Sequence, residues 1–386
     1  MNRESELQLI DELLRIKAAK SFYLDEAVTR SPVDHYTSQT RFDLEREKIF
    51  RRRPLAVAHC SELDQPGAFL RRDIAGLPAL ITRDKSGQVH AFLNACRHRG
   101  MRLVEDESGC KQRFTCPYHA WTYANTGDLL AAPHFADGFS GLDKRELGLT
   151  RLPSEERFGL IWVTANRDGA IDIDAHIGDL STELDALQLD DMVVAHQDVP
   201  EHAANWKILF EGGIEAYHFK VAHRSTIGPF FEDNLSTYRM FGSHMRSILM
   251  RSSMAKLDPA RRDTWRLREH AQVLYSLFPT TSLLVQSDHI SWIQSEPIAP
   301  GRTRMRLSTL VPRHEADKTE HWKRNHDITR QTLDEDFVIG ERIQSTLLSG
   351  ANEYMLFGRF EGALDAFNRV IEQHLAASGP DAKAAA

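Results

Sequence analysis

Cys96-Arg97-His98, then seventeen residues, then Cys116-Pro117-Tyr118-His119 is the stretch that decides the first half of this chain. Each pair offers one thiol and one imidazole on a short segment. About a hundred residues later comes a second group, Glu215-Ala216-Tyr217-His218-Phe219-Lys220-Val221-Ala222-His223. Two sets of metal-ligand residue types in this order imply two different sites on one chain.

Two Cys/His pairs joined by a loop can bind zinc or a two-iron, two-sulfur cluster. Zinc fingers of the two-Cys, two-His kind keep both cysteines in one hairpin and both histidines on a helix. Here each pair is mixed. Two thiolates can then hold one iron and two imidazoles the other, which raises the reduction potential above that of an all-cysteine cluster.

The second group fits a mononuclear iron(II) site, which takes two histidines and one carboxylate on one face and leaves positions open for dioxygen and substrate. His218 and His223 are five residues apart, a spacing suited to ligands that flank a helix break. Alone, such a pair reads first as ordinary surface or core histidines.

The wider context resembles a known family. Cys96-Arg97-His98-Arg99-Gly100 and Cys116-Pro117-Tyr118-His119-Ala120-Trp121 resemble the two loops of Rieske domains, with Arg97 where the family commonly has Pro. Asn205-Trp206-Lys207, followed by Glu211-x-x-x-Glu215-x-Tyr217-His218-x-x-x-x-His223, resembles the catalytic domain of Rieske non-haem iron oxygenase α-subunits. The resemblance runs from about residue 40 to about 370. Many relatives carry Asn-Tyr where this chain has Gly212-Gly213, which implies a roomier or more mobile wall near the metal.

The resemblance implies an α+β protein, with an N-terminal all-β Rieske [2Fe-2S] domain before an α+β helix-grip (START-like) catalytic domain. It implies Cys96, His98, Cys116 and His119 as cluster ligands, and His218, His223 and Asp336 as iron ligands. Asp336 stands in Leu333-Asp334-Glu335-Asp336-Phe337, with Asp334 as the fallback. Glu215 takes the position of a bridge between an iron-ligand histidine and a Rieske histidine, His119, of the neighbouring subunit in a head-to-tail trimer. A separate reductase, with or without a ferredoxin, would bring electrons from NAD(P)H, and O2 would be the co-substrate. The chain itself has no Gly-x-Gly-x-x-Gly loop.

Composition agrees with an ordinary globular chain. Of 386 residues, 41% are hydrophobic and 27% charged, enough for two domains. A net charge of -7 without a basic face excludes nucleic acid as an expected partner. No apolar run approaches the roughly 20 residues of a membrane helix, and no signal peptide is evident at Met1-Asn2-Arg3-Glu4, so a cytoplasmic protein is expected. Four cysteines do not make a disulfide scaffold, and Cys60 and Cys110 read as small buried thiols.

Apolar residues at Leu7, Leu9, Ile10, Leu13, Leu14 and Ile16 predict a helix over 5–18. A short helix follows near 42–50. Leu80-Ile81-Thr82-Arg83 and Gln88-Val89-His90-Ala91-Phe92 flank the turn Asp84-Lys85-Ser86-Gly87, a hairpin in a β-rich region that closes with a strand at 158–163. The acidic stretch 166–200 reads as a solvated crossover. Later strands at 282–285 and 305–311 precede long helices at about 318–349 and 361–377, and the chain ends in an Ala-rich tail. The divisions expected are 1–40, a helical segment; 41–165, the Rieske domain; and 166–386, the catalytic domain.

The substrate is less legible. Phe230, Phe231, Tyr238, Phe241, Trp265, Tyr275, Phe278 and Trp292 suggest an apolar pocket wall. Glu215, where ring-dihydroxylating relatives have Asp, resembles the subgroup that acts on quaternary ammonium compounds such as glycine betaine, choline and carnitine. An aromatic cage suits such a cation. Aromatic acids are the competing class, with Arg224, Arg246 or Arg251 to hold a carboxylate. Hydroxylation or demethylation is the preferred reaction and ring cis-dihydroxylation the alternative. A Rieske electron carrier fused to a ligand-binding domain, or a zinc-stabilised interaction protein, are the readings without oxygen chemistry.

Overall fold

The structure, a computed structural model, describes residues 1–377, so the Ala-rich tail lies outside the described residues. Two compact units emerge. One comprises Phe50–His176 and Leu189–Val193; the other comprises Met1–Ile49, Ile177–Gln188 and Val194 onward. These contact-defined divisions stand beside the sequence divisions at 40/41 and 165/166. The N-terminal segment belongs with the catalytic unit, because its buried side chains Tyr36 and Glu45 bond to Glu211, Trp206 and Lys207.

The first unit is built of short antiparallel strands. A five-stranded sheet contains Ala68–Ile74, Leu77–Arg83 and Val89–Leu93 at its centre, and two three-stranded sheets accompany it. The predicted hairpin forms because the Asp84 carboxylate accepts from the backbone N–H groups of Ser86 and Gln88 at 2.8 and 3.0 Å, closing the turn. One of the small sheets, Arg113–Thr115, Thr122–Ala124 and Leu129–Ala131, frames the second Cys/His loop. Phe69, Phe92, Phe114, Trp121 and Tyr123 pack into one buried cluster with Cys96 and Cys116, so the ligand loops rest on an aromatic floor.

Two expectations need correction. Cys60 is half-buried and Cys110 is exposed, on the strand Ser108–Cys110, so neither is a buried thiol. The acidic stretch is not simply solvated. Its short helices carry Ile173, Ile177, Leu180 and Leu184 into the interior and keep most of the acids outside, an amphipathic pattern hidden by the high charge, while Glu183 turns in to pair with Arg246.

The second unit opens with α1 (Arg3–Ala18). It contains α2 (Trp206–Ile214), the single turn α3 (Phe219–Ala222), α4 (Thr319–Leu347) and α5 (Gly362–Ala376). Its sheet comprises β1 (Met192–Asp198), β2 (Phe231–Phe241), β3 (His244–Arg251), β4 (Ala271–Leu277), β5 (Thr281–Val285), β6 (Ile290–Ala299) and β7 (Arg302–Pro312). The order is β1-β7-β6-β5-β4-β3-β2, and the short strand Glu201–His202 also pairs with β7. From β7 to β2 every neighbour is antiparallel.

The long helix α4 grips this sheet. Thr309 bonds to His326 at 2.8 Å and Ser291 to Thr329 at 3.4 Å. It also crosses α2 closely at Gly340, where an added Cβ would lie 2.8 Å from a Leu209 methyl. A larger residue there would push that methyl aside; with glycine, Phe337 sits beside Leu209 and Met305 in a buried cluster. Burying each such side chain contributes about 1.5–3 kcal/mol.

Candidate metal centres and substrate cavity

The two Cys/His loops have matching backbones. Cys96 N–H donates to Met101 O at 2.8 Å and Cys116 N–H to Trp121 O at 2.8 Å. Four residues after each cysteine the chain turns left-handed, at Gly100 (φ 77) and Ala120 (φ 56). Both thiols are buried, at 3% exposure each. The imidazoles lie further out, with the Nδ1 atoms of His98 and His119 3.1 Å apart. Trp121 stacks on His98 at 5.1 Å and holds its ring. Burial and the neighbouring Cys116 thiol push Cys96 up. Burial, His119 and Arg99 lower His98, which keeps that imidazole neutral.

Two thiols inside and two imidazoles outside are the donor set a [2Fe-2S] group needs. Tyr123, which the sequence reading passed over, contacts this set: its hydroxyl lies 3.3 Å from Cys96 Sγ and accepts from Arg97 N–H at 3.0 Å. Its place on the strand after the second loop was the available signal.

The second donor set is built at a break between helices. Asn205 caps α2, its side chain accepting from Lys207 N–H at 2.9 Å. The helix stops at Glu215, which is extended (φ -121, ψ 162). The Glu215 carboxylate then accepts from the backbone N–H groups of Tyr217 and His218. His218 and His223 bracket α3 as its N-cap and C-cap. On an unbroken helix a five-residue spacing would turn the two side chains about 140° apart. Flanking a single turn instead, their Nε2 atoms approach to 3.1 Å.

Asp336, on α4, completes the group. Its Oδ1 lies 3.3 Å from His218 Nε2 and 2.9 Å from His223 Nε2. All three ligand atoms lie within 4.8 Å of one another, a cluster that could hold a metal ion. Asp334 is not brought to the histidines; it turns outward, 3.6 Å from Arg330. On the far side of each imidazole is another carboxylate. His218 Nδ1–H donates to Glu215, and His223 Nδ1–H donates to Glu335 at 2.7 Å. These bonds keep a proton on each Nδ1 and turn both Nε2 atoms toward Asp336.

Burial alone would lower His218, but its bonds to Asp336 and Glu215 outweigh burial and lift it to about 10. His223 is likewise raised, and the two histidines hold Asp336 below the usual carboxylate range against its burial. Such a surplus of negative charge around two imidazoles is what a divalent cation would neutralise. Glu335 was missed in the sequence because three acids in a row on a helix look alike until their register against His223 is known.

Beside this group lies a cavity of about 590 Å³, with His223 and Asp336 in its lining. That is an ordinary size for a small-molecule site. Its aromatic lining is Phe210, Phe219, Phe230, Phe231 and Phe337. Of the expected wall, only Phe230 and Phe231 line it. The rest are excluded largely by strand alternation: on β4, Gln272 and Leu274 face the cavity, so Tyr275 points away; on β6, Ile293 and Ser295 face it, so Trp292 does not. Tyr238 donates instead to Asp25 at 2.7 Å. Gly212 and Gly213 also line the cavity, and a Cβ added at either would meet nothing within 4 Å. Of the three arginines considered, Arg224 is exposed, Arg246 pairs with Glu183, and only Arg251 lines the cavity.

Fold and donor sets define a Rieske unit joined to an α-subunit catalytic unit, and the comparisons with known proteins agree. Residues 53–146 match the Rieske [2Fe-2S] domain family, and residues 189–377 match the ring hydroxylating alpha subunit (catalytic domain) family. The chain belongs to the Rieske-type ring-hydroxylating oxygenase α-subunits. It is 30% identical over 241 residues to the carnitine monooxygenase oxygenase subunit of Acinetobacter pittii, covering 60% of this chain and 63% of that one. It is 32% identical over 201 residues to the glycine betaine monooxygenase oxygenase subunit of Pseudomonas aeruginosa, covering 52% and 46%. Chlorobenzene dioxygenase subunit alpha of a Cupriavidus species is equally similar, 32% over 210 residues, covering 53% and 46%. The matched stretches thus span under two thirds of these relatives' lengths. Among solved structures, the quaternary ammonium Rieske monooxygenase CntA superposes with a TM-score of 0.76 at 25% identity, covering 90% of this chain and 96% of that one. Naphthalene 1,2-dioxygenase from Rhodococcus shares the fold with a TM-score of 0.76 at 20% identity, covering 97% and 99%. Among the described residues no helix is long and apolar enough to cross a membrane.

Proposed function

We propose that this chain is the terminal oxygenase component of a multicomponent system, hydroxylating or demethylating a small organic substrate. The observation that carries the reading is the convergence of His218, His223 and Asp336 beside a cavity, on a chain that also holds a Rieske donor set. Cys96, His98, Cys116 and His119 would hold the [2Fe-2S] cluster, and His218, His223 and Asp336 the iron. When bound, these groups supply single-electron transfer and dioxygen activation. Glu215 and Glu335 hold the Nδ1 protons and so orient both imidazoles. The phenylalanines bind the substrate and keep water out of the cavity.

In a head-to-tail trimer, Glu215 would meet His119 of the partner subunit and bridge the two centres. A separate reductase, with or without a ferredoxin, would deliver electrons from NAD(P)H one at a time, in the cytoplasm. Quaternary ammonium compounds are the preferred substrate class. The relatives named for carnitine and glycine betaine support it, and each phenylalanine facing a cation contributes about 0.5–2 kcal/mol. Ring dihydroxylation is the second reading, favoured by the equal similarity to the chlorobenzene enzyme.

The test is substrate-stimulated oxygen uptake by iron-loaded protein with a surrogate reductase and NADH, with product mass read in parallel. Coupled uptake and a one-oxygen or demethylated product from methylated ammonium compounds supports the first reading. A two-oxygen product from an aromatic compound supports the second. A colourless, iron-free preparation would sink both.

A further inference from the structure

One end of the cavity carries a cation that the reaction, as described, does not use. Arg251 closes β3 and lines the cavity. Among the described residues its only side-chain hydrogen bond is to a neutral group, Nη2 donating to Gln286 Oε1 at 2.8 Å. Its guanidinium also lies 5.8 Å from the Phe231 ring. Arg246 and Arg304 of this unit pair with acids, Arg246 with Glu183 and Arg304 with Glu201 and Glu296, while the nearby Arg268 spends its donors on the Gln286 and His289 carbonyls. No acid among the described residues pairs with Arg251, and its Nε and Nη1 donors have no side-chain acceptor there. A half-buried arginine is costly to leave without an anion.

The position of Arg251 is as informative as its lack of an anion. Gln286 N–H donates to His289 O at 3.0 Å, and Asp288 beside it bonds to His321 of α4 at 2.8 Å. This corner therefore lies at the early turns of α4, where Asn325 lines the cavity, whereas Asp336 lies at the other end. Asn325 and Asp336 are about 16 Å apart along the helix. Phe219 and Phe231, 5.2 Å apart, fill the space between His223 and Arg251. The acids of the lining are Asp336 itself and Glu269, which is exposed at the rim with Lys256.

We propose that Arg251 is a specificity-determining residue that docks the carboxylate of the substrate, its reacting carbon held at the opposite end of the cavity. The proposal rests on the oxygenase reading and narrows it. The substrate is an organic acid, and within the quaternary ammonium class it is a zwitterion: the cationic head lies among the phenylalanines and the carboxylate lies on the arginine fork. Choline-like cations and unsubstituted arenes lack the group that Arg251 requires.

The test compares acids with their own methyl esters on the intact protein: carnitine, glycine betaine and benzoate, each against its ester, by titration calorimetry. At least one acid should bind about tenfold to a hundredfold more tightly than its ester. Arg251→Gln should abolish that preference and Arg251→Lys keep part of it, with the visible spectrum of the cluster unchanged as a check on folding. If no acid is preferred over its ester, or the preference survives Arg251→Gln, the proposal is overturned. Oxygen uptake, recorded alongside, separates the two claims. An acid held through Arg251 without stimulated uptake would remove the oxygenase reading and leave the subsite. Uptake stimulated only by uncharged compounds would do the reverse.

Discussion

Glu335 accepts a hydrogen bond from Nδ1 of His223 at 2.7 Å, while the neighbouring Asp336 reaches Nε2 of the same ring at 2.9 Å. Two consecutive acids on α4 thus grip opposite edges of one imidazole. Thr226 Oγ1 donates to the same Glu335 oxygen at 2.7 Å and fixes it. Losing a carboxylate that orients a ligand histidine typically costs 10–100-fold in metal affinity or activity. Glu335→Ala should therefore weaken mononuclear iron binding by about that factor and leave the cluster absorbance untouched. Iron content after graded chelation measures this, and native affinity in the variant would remove Glu335 from the site.

Asp336 and Asp334 are two residues apart and have opposite surroundings. Asp336 lies between two histidines, whereas Asp334 is half-exposed beside Arg330. Asp336→Ala should strip the mononuclear iron while the red-brown colour persists. Asp334→Ala should lose neither metal, because an exposed pair contributes only about 0–1 kcal/mol. Metal analysis of both variants decides the third ligand, and retention of all iron by Asp336→Ala would transfer that role elsewhere.

How much of this was legible in the sequence depended on how local each signal is. The Cys/His pairs occupy short loops, so spacing alone brought Cys96, His98, Cys116 and His119 into view. His218 and His223 needed the surrounding motif, and Asp336 needed the family resemblance, because nothing local distinguishes it from Asp334. Glu335 required the fold. The cavity wall failed for a related reason: period-two alternation separates Leu274 from Tyr275 on β4 but does not say which side α4 will cover. Likewise, no local signal tied Tyr36 and Glu45 to Glu211 and Lys207, more than 160 residues away.

Glu215 uses both carboxylate oxygens within its own chain. One accepts from His218 Nδ1, and the other accepts from the Tyr217 and His218 backbone N–H groups. The amide oxygen of a glutamine can still accept from His218, but the negative charge is gone. Glu215→Gln should keep both metals near the native content while turnover falls by about 10- to 100-fold or more. Single-turnover measurements with pre-reduced cluster locate the loss in electron transfer between centres. If the mononuclear iron leaves with the charge, Glu215 is part of the iron's own binding and not a bridge.

Glu211 lies one turn before Glu215 and is buried with 4% exposure. Tyr36 OH and Asn368 Nδ2 both donate to its Oε1, at 2.8 Å each. Burial outweighs these bonds and pushes its carboxyl up to about 7, from an ordinary 4.5. In that interval the unfolded chain releases the proton and the folded chain keeps it. A raised acid therefore costs stability as pH rises from about 4.5 to 7, and the full cost applies above that window. Glu211→Gln can accept the same two hydrogen bonds without ever ionising. Its melting temperature should match the native value near pH 4.5 and exceed it at pH 8 by several degrees, for a gain on the order of 2–4 kcal/mol. Calorimetric melting temperatures for both proteins across pH 4.5–8 provide the check. Parallel pH profiles would mean that Glu211 is ionised in the folded protein at neutral pH, held there by Lys207.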